Sequence, residues 1–294
     1  MAATAADPAS FGGLLYAAKK ALRESQIDTP DLDAEVLFAH ALERDRLHML
    51  ADPPRKISNG IMGACSAYIE RRRNGEPVAY ITGEKHFYNS VFKVNRSVLI
   101  PRPETEIMVD EILKRFNGDS ISVCDIGTGS GCIALSLANE RPSWNITAAD
   151  VSEKALETAI ENARHICLEV GVKNVNFIQS DLFENIIGKF DLITCNPPYI
   201  AESDKESLQK EIVRHEPHTA LFAREGGLEI IKRVVSDAPQ FLKDNGRLYC
   251  EIGYGQKEAV GNFFNAGPWE RVEFIKDLAG HFRHVTGRRL HSTK

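Results

Sequence analysis

The stretch Val123-Cys124-Asp125-Ile126-Gly127-Thr128-Gly129-Ser130-Gly131-Cys132-Ile133-Ala134 decides the fold. An apolar run ends in three alternate glycines, after which apolar residues resume. The pattern is a strand entering a tight turn that opens a helix. Glycine lets the backbone bend at such a turn and lets a ligand come close to it. The spacing is G-x-G-x-G and not the G-x-G-x-x-G of dinucleotide sites, and no hydride-transfer constellation accompanies it. A dehydrogenase is therefore the weakest reading.

Outward from this turn, strands are expected over 120–125, 144–150, 175–179, 190–195 and 247–252, with helices over 132–140, 153–169 and 227–242. Such alternation implies an α/β fold with a mostly parallel sheet covered on both faces. Ligands on these sheets bind beyond the carboxyl ends of the strands. Asp125, just before the glycines, favours an amine-bearing or cationic ligand over a pyrophosphate, and S-adenosylmethionine carries both an ammonium and a sulfonium. Asp150 ends the next strand. Alone it reads equally as a helix-capping acid or as a bidentate acceptor for ribose hydroxyls, and the glycine turn upstream favours the ribose. Asp181 and Leu182 follow the third strand, where an acid can accept from the amine of adenine and an apolar side chain can pack on its ring. Taken alone, Asp181 reads nearly as well as a loop acid. The expected cofactor contacts are thus Asp125, Gly127, Thr128, Gly129, Ser130, Gly131, Asp150, Asp181 and Leu182, joined by Asn196.

Asn196-Pro197-Pro198-Tyr199 follows the buried strand 190–195. Two prolines fix the local backbone and leave carbonyls without competing N–H donors. A bound NH2 group can donate one hydrogen to the Asn196 side-chain oxygen and one to the Pro197 carbonyl, while Tyr199 stacks on a planar amide or base. Asn196, Pro197, Pro198 and Tyr199 are the expected substrate contacts, with Asn196, Pro197 and Tyr199 carrying the catalysis. An amide nitrogen is a poor nucleophile because its lone pair is delocalised. Two acceptors can aim that lone pair at a methyl group and stabilise the positive charge that develops. Asn196 is read as an orienting acceptor, not a general base.

Asn196–Tyr199 together with 125–131 resembles the class I amino-methyltransferases. Gly75-Glu76-Pro77-Val78-Ala79-Tyr80-Ile81-Thr82-Gly83, Pro101-Arg102-Pro103-Glu104-Thr105-Glu106 and Glu251-Ile252-Gly253 resemble the HemK/PrmC family more specifically. That resemblance covers nearly the whole chain. It implies a Rossmann-like methyltransferase with a seven-stranded mostly parallel sheet, plus a small N-terminal helical domain joined by a β-hairpin. It also implies methyl transfer from S-adenosylmethionine to the N5 amide of glutamine in the Gly-Gly-Gln motif of peptide chain release factors. Related enzymes often carry a larger ring where Leu182 stands, so Phe183 is expected to share the adenine contact. The segment 101–106 is expected to border the cofactor.

Residues 1–84 read as helices, a partner-recognition domain without chemistry of its own. Leu14, Leu15, Ala18 and Leu22 recur at helical spacing, Asp28-Thr29-Pro30 starts a second helix, and Ile57, Ile61, Cys65, Tyr68 and Ile69 mark a third. Arg71-Arg72-Arg73 reads as its solvated end ahead of the alternative, a contact for an acidic partner or RNA. Residues 85–100 alternate around Asn89-Ser90 as a hairpin linker, and 101–294 form the methyltransferase domain. His215 and His218 read as loop polarity, and the basic stretch 281–294 reads equally as a contact for ribosomal or nucleic-acid phosphates or as a final strand plus a frayed end.

The 294 residues, 43% hydrophobic and 26% charged, suffice for two domains with real cores. A net charge of −5 argues against a broad nucleic-acid surface, and no stable nucleic-acid partner is expected. No apolar run approaches the ~18–20 residues that span a bilayer. The start MAATAADPASFGG lacks the features of a secretory leader. Cys65, Cys124, Cys132, Cys167, Cys195 and Cys250 are scattered without metal spacing and read as buried reduced thiols. A cytoplasmic monomer without metal is expected. An adenine-N6 or other exocyclic-amine methyltransferase acting on DNA or RNA remains the alternative, because Asn-Pro-Pro-Tyr serves a flipped base equally. The intact motif argues against a non-catalytic cofactor-binding module.

Overall fold

The computed structural model describes residues 10–116, 120–170 and 174–291, with the backbone alone at 167–170. The first nine residues and the Cys167 thiol, on which two readings above rest, lie outside the described residues. The chain divides into two compact units, Met1–Gly83 with Gln209–His215, and Glu84–Leu208 with Glu216–Lys294.

In the first unit, α1 (Phe11–Glu24), α2 (Pro30–Ala41), α3 (Arg46–Ala51), α4 (Asn59–Arg73) and α5 (Val78–Thr82) enclose a core that includes Phe11, Leu15, Leu22, Leu37, Phe38 and Met49. Side chains of Ser10, Asp45 and Ser58 cap α1, α3 and α4 by accepting from the backbone N–H three residues on, which satisfies one orphan donor each. Sequence periodicity showed neither α3 nor α5, which are too short to carry a repeat. The arginine run is not a solvated end. Gly75, at φ +85°, terminates α4 with its N–H on Arg72 O and that of Glu76 on Arg71 O. This reversal returns Glu76 to the Arg71 guanidinium, which it meets through both oxygens at 2.8 and 2.9 Å. Arg72 is buried, and Arg73 alone of the three stays exposed.

In the second unit, the hairpin β1 (Glu84–Phe87) and β2 (Ser90–Lys93) precedes α6 (Pro103–Arg115). Its turn is Tyr88-Asn89, one residue before the expected Asn89-Ser90. Strands β3 (Ser122–Ile126), β4 (Asn145–Asp150), β5 (Val175–Gln179), β6 (Phe190–Cys195), β7 (Leu242–Glu251), β8 (Trp269–Lys276) and β9 (Phe282–Arg289) form one seven-stranded sheet in the order β8-β9-β7-β6-β3-β4-β5. The five strands from β7 to β5 run parallel, and β9 and β8 add antiparallel at one edge. β9 realises the final-strand reading of the basic tail.

Helices α7 (Cys132–Glu140), α8 (Glu153–Val170), α9 (Glu229–Phe241) and α10 (Lys257–Asn265) follow strands of this sheet. Both faces are covered, because one apolar cluster gathers Cys124, Ile193, Val234 and Phe264 and another gathers Val123, Leu192, Met108 and Leu135. Residues adjacent along β3 and along β6 thus point to opposite cores, and two-sided burial explains why both strands read as continuous apolar runs. After β5 the chain crosses to the other side of β3, so the order reverses between β3 and β6. A crevice opens at the carboxyl ends of strands at such a switch point.

Candidate functional site

Register places the signals side by side. Ile126 pairs with Cys195 and Ala149, Cys195 pairs with Cys250, and Asp150 pairs with Gln179. Gly127, Asn196, Glu251, Asp150 and Ser180 therefore stand at one edge of the sheet. A cavity there is lined by Gly127, Thr128, Gly129, Ser130, Asp150, Asp181, Leu182, Asn196, Pro197 and Pro198, among others. Ser97–Leu99, Pro101, Arg102, Thr105, Pro217, Thr219 and Ala220 also line it.

The glycine turn takes left-handed values at Gly127 (φ +71°), Gly129 (φ +57°) and Gly131 (φ +81°), a region open to glycine at little cost. Asp150 holds it in place: Oδ2 accepts from the Gly129 N–H at 2.9 Å and Oδ1 from that of Ser152 at 2.9 Å. Asp150 is not the cap of α8, because the Ala155 N–H donates to Ser152 Oγ at 3.2 Å; Asp150 braces the turn and lines the cavity. Each carboxylate oxygen keeps a lone pair for a ligand hydroxyl. Burial raises the Asp150 pKa against the pull of these N–H groups.

Asp125 lies behind the wall. It is fully buried and accepts at Oδ1 from the Thr194 hydroxyl at 2.7 Å on the neighbouring strand. Burial pushes its pKa up to about 6, with the Asp150 charge adding to the rise and the Thr194 hydroxyl opposing it. Asp125 Oδ2, Thr128 Oγ1 and Ser130 Oγ are buried without a hydrogen-bond partner among the described residues. Unmet polar groups at a glycine turn, two acids and the apolar Leu182, Val151 and Ile230 on the wall make a donor set that suits S-adenosylmethionine.

Asp181 lines the cavity and takes the Arg233 guanidinium at 3.2 Å. Leu182 reaches the wall in a left-handed conformation, φ +49°. Phe183 does not share its role. The chain turns at Leu182, and Phe183 enters the core, stacked on Phe241 at 4.7 Å and 12°.

Asn196 and both prolines reach the cavity, whereas Tyr199 is not part of its wall. The tyrosine hydroxyl donates to Glu251 Oε1 at 3.0 Å. A Cβ on Gly253 would stand 3.3 Å from the tyrosine ring, so Glu251-Ile252-Gly253 supplies both the ring's acceptor and the room for it. Burial first, and then the Glu251 charge, raise the Tyr199 pKa, which keeps the hydroxyl a donor. Gly227 closes the other side: a Cβ there would fall 2.1 Å from Tyr199 O, which also accepts from Gln256 Nε2 at 2.9 Å.

Several supports gave no sequence signal. Asn162 on α8 is fully buried and donates to Ser130 O (2.9 Å) and Lys93 O (3.0 Å), so it ties the hairpin to the glycine turn. Glu216 accepts from the Ile100 N–H (3.2 Å) and from Arg102 (2.6 Å), which fixes the segment 97–102. These partners lie 32 to 116 positions apart and no spacing rule links them. The expected border segment 101–106 contributes Pro101, Arg102 and Thr105 to the cavity. Cys65, Cys124, Cys195 and Cys250 are buried free thiols, and Cys132 is half-buried. The described residues hold no cluster of three or more metal-ligating side chains and no helix able to cross a membrane.

Residues 14–83 match the family described as the PrmC N-terminal domain, and residues 103–230 match the methyltransferase small domain. The chain is 40% identical over 282 residues to a release factor glutamine methyltransferase of Leptospira interrogans, covering 95% of this chain and 98% of that one. A protein of the same description from Streptococcus pneumoniae is 46% identical over 211 residues, 71% of this chain and 74% of that one. Among solved structures, the hMettl16 catalytic domain in complex with an RNA hairpin has a TM-score of 0.55 at 18% identity, covering 68% of this chain and 74% of that one. A Pyrococcus furiosus methyltransferase has a TM-score of 0.51 at 18% identity, covering 77% and 98%. At such identities the likeness concerns the fold.

Proposed function

We propose that this chain, which belongs to the release factor glutamine methyltransferase family, methylates the side-chain amide nitrogen of the glutamine in the Gly-Gly-Gln motif of a peptide chain release factor. It is an S-adenosylmethionine-dependent methyltransferase, and the cofactor supplies an electrophilic methyl group. Gly127–Gly131, Asp150, Asp181 and Leu182 bind that cofactor, and the buried Asp125 charge favours its cationic groups from behind the turn. Asn196 Oδ1 and the Pro197 carbonyl each accept one hydrogen of the glutamine NH2. The amide nitrogen is then held with its lone pair toward the methyl group, and the two acceptors stabilise positive charge as it grows. No base is required before transfer: as the nitrogen takes the methyl group, the cofactor would leave as S-adenosyl-L-homocysteine, and the N–H proton, acidic once the fourth bond to nitrogen forms, would pass to water. The N-terminal helical unit recognises the folded release factor.

The observation that supports this reading most is Asn196-Pro197-Pro198 lining the same cavity as the glycine turn, on neighbouring strands at the switch point. The test is mass spectrometry of release factor incubated with the protein and S-adenosylmethionine, with an Asn196→Ala control and a DNA/RNA arm. One methyl on the Gly-Gly-Gln glutamine, absent in the control, is the expected result. Label in adenine and none in protein would overturn it.

A further inference from the structure

We propose that Thr105 and Glu251 are positioning residues that set the polarity of the Asn196 carboxamide, turning its oxygen to the substrate. The proposal rests on the reading of Asn196 as the acceptor for the glutamine amide. It assigns roles to two residues that act through Asn196.

Glu251 ends β7 and is 1% exposed. An ionised carboxylate only accepts. Its Oε2 accepts from Thr105 Oγ1 at 2.7 Å and its Oε1 from the Tyr199 hydroxyl at 3.0 Å. Thr105 is itself 1% exposed, at the third position of α6. A hydroxyl has one hydrogen, and that of Thr105 is committed to Glu251. Only lone pairs remain for its second neighbour, the Asn196 carboxamide at 3.2 Å. The NH2 end of the amide can use them and the oxygen end cannot. Nδ2 therefore faces Thr105, and Oδ1 faces away from it.

The two orientations of an asparagine amide have nearly the same shape, so packing alone does not choose between them. Here a buried charge chooses, through one intervening hydroxyl. The reversed amide would set two acceptors 3.2 Å apart with no hydrogen between them and would present NH2 to the NH2 of the substrate. The same carboxylate holds Tyr199, so one side chain fixes both ends of Asn196–Tyr199. This accounts for the Thr105 of Pro101–Glu106 and the Glu251 of Glu251–Gly253 as a single device.

The test compares Thr105→Val, Thr105→Ser and Glu251→Gln with the wild type in the full chain. Turnover and KM are measured on a release factor, and S-adenosylmethionine affinity by calorimetry. The side-chain amide signals of Asn196, identified by their loss in Asn196→Asp, are followed by NMR without substrate. Thr105→Val is nearly isosteric and is expected to lower kcat about 10- to 100-fold, less than the roughly 100- to 1000-fold of removing an oriented catalytic dipole outright, because the Asn196 amide remains and only its orientation is freed. KM and cofactor affinity stay within about threefold, since binding contacts remain. Thr105→Ser restores most of the turnover. Glu251→Gln, with one acceptor where two stood, is impaired like the valine variant. In the wild type one Asn196 amide proton exchanges slowly, and in Thr105→Val both exchange fast. A valine variant with wild-type turnover and unchanged amide exchange would overturn the proposal, and so would a serine variant as impaired as the valine one. If the wild type leaves release factors unmethylated, the functional reading falls, while the amide exchange still decides whether Thr105 and Glu251 set the polarity.

Discussion

Arg72 Nη1 donates to Glu211 Oε2 at 2.6 Å, although the two residues are 139 positions apart. The same guanidinium donates to Asp33 Oδ2 at 2.7 Å and to the Glu76 carbonyl at 3.1 Å. The short helix Lys210–His215, which follows the Asn196–Tyr199 segment in the chain, belongs through this contact to the N-terminal helical unit. The Arg72 side chain is 6% exposed and that of Asp33 9%. Removing one partner of a buried pair leaves an uncompensated charge, at a cost of about 3–5 kcal/mol. Arg72→Met is expected to destabilise the helical unit by about that amount in urea denaturation. Arg73→Ala, which removes an exposed pair with Glu70, is expected to cost less than about 1 kcal/mol. Equal effects of the two would refute the assignment of Arg72 as a buried tie.

Gly227 is the tightest glycine near the site. It has φ +84°, and an added Cβ would meet Tyr199 O at 2.1 Å and Gln256 Nε2 at 3.0 Å. Backbone cannot yield as a side-chain tip does, so Gly227→Ala must move the segment 196–199 or the turn. A displacement near 1 Å at a reacting centre costs on the order of 100-fold in rate. Turnover of Gly227→Ala is expected to fall on that scale. Gly188→Ala, with open space around its Cβ, is expected to lose stability from its φ of +105° and little turnover. Comparing kcat with melting temperature for both separates the two effects.

The parallel strands were legible because burial on both faces writes them as unbroken apolar runs, and Cys132–Glu140 was readable to the residue from the pattern after the last glycine. The glycine turn and Asn196-Pro197-Pro198 could be placed from sequence because each depends on local backbone chemistry. Other features depend on what tertiary contact brings. Asp125 was read as facing the ligand, yet it accepts from Thr194 beneath the turn. Tyr199 was read as a stacking ring, yet its hydroxyl is held by Glu251, 52 positions away. Arg72 sits in a run that looks solvated until Asp33 and Glu211 close on it.

Asp125 gives a pH-dependent prediction. Its pKa is raised from 3.8 to about 6. The stability it contributes is thus present below its ordinary value and is lost as pH rises through about 6. Asp125→Asn removes the charge and keeps an oxygen for Thr194. Without ligand, the variant is expected to exceed the wild type in stability at pH 8 by up to about 3 kcal/mol, at about 1.4 kcal/mol per pH unit of displacement. The difference vanishes toward pH 4. Cofactor affinity should move oppositely: wild-type binding tightens between pH 5 and 7.5 as the carboxyl ionises, and the variant loses that gain. Melting curves and calorimetry across this range check both, and a stability difference independent of pH would contradict the assignment.

Tyr199→Phe distinguishes the two roles open to the aromatic ring. A stacking ring is indifferent to its hydroxyl, so a phenylalanine would keep wild-type turnover. In the structure the ring is no part of the cavity wall, and the hydroxyl donates to a carboxylate that also accepts from Thr105. Losing the phenol leaves Glu251 Oε1 buried with one donor fewer, a defect of about 1–3 kcal/mol. Turnover is expected to fall about 5- to 20-fold, the part of that energy that reaches the Asn196 alignment. KM for the release factor is expected to stay within about threefold, since no wall contact is removed. Steady-state kinetics on the release factor decide the matter: unchanged kcat assigns Tyr199 to stacking, and a fall in kcat at constant KM assigns it to holding the carboxylate that orients Asn196.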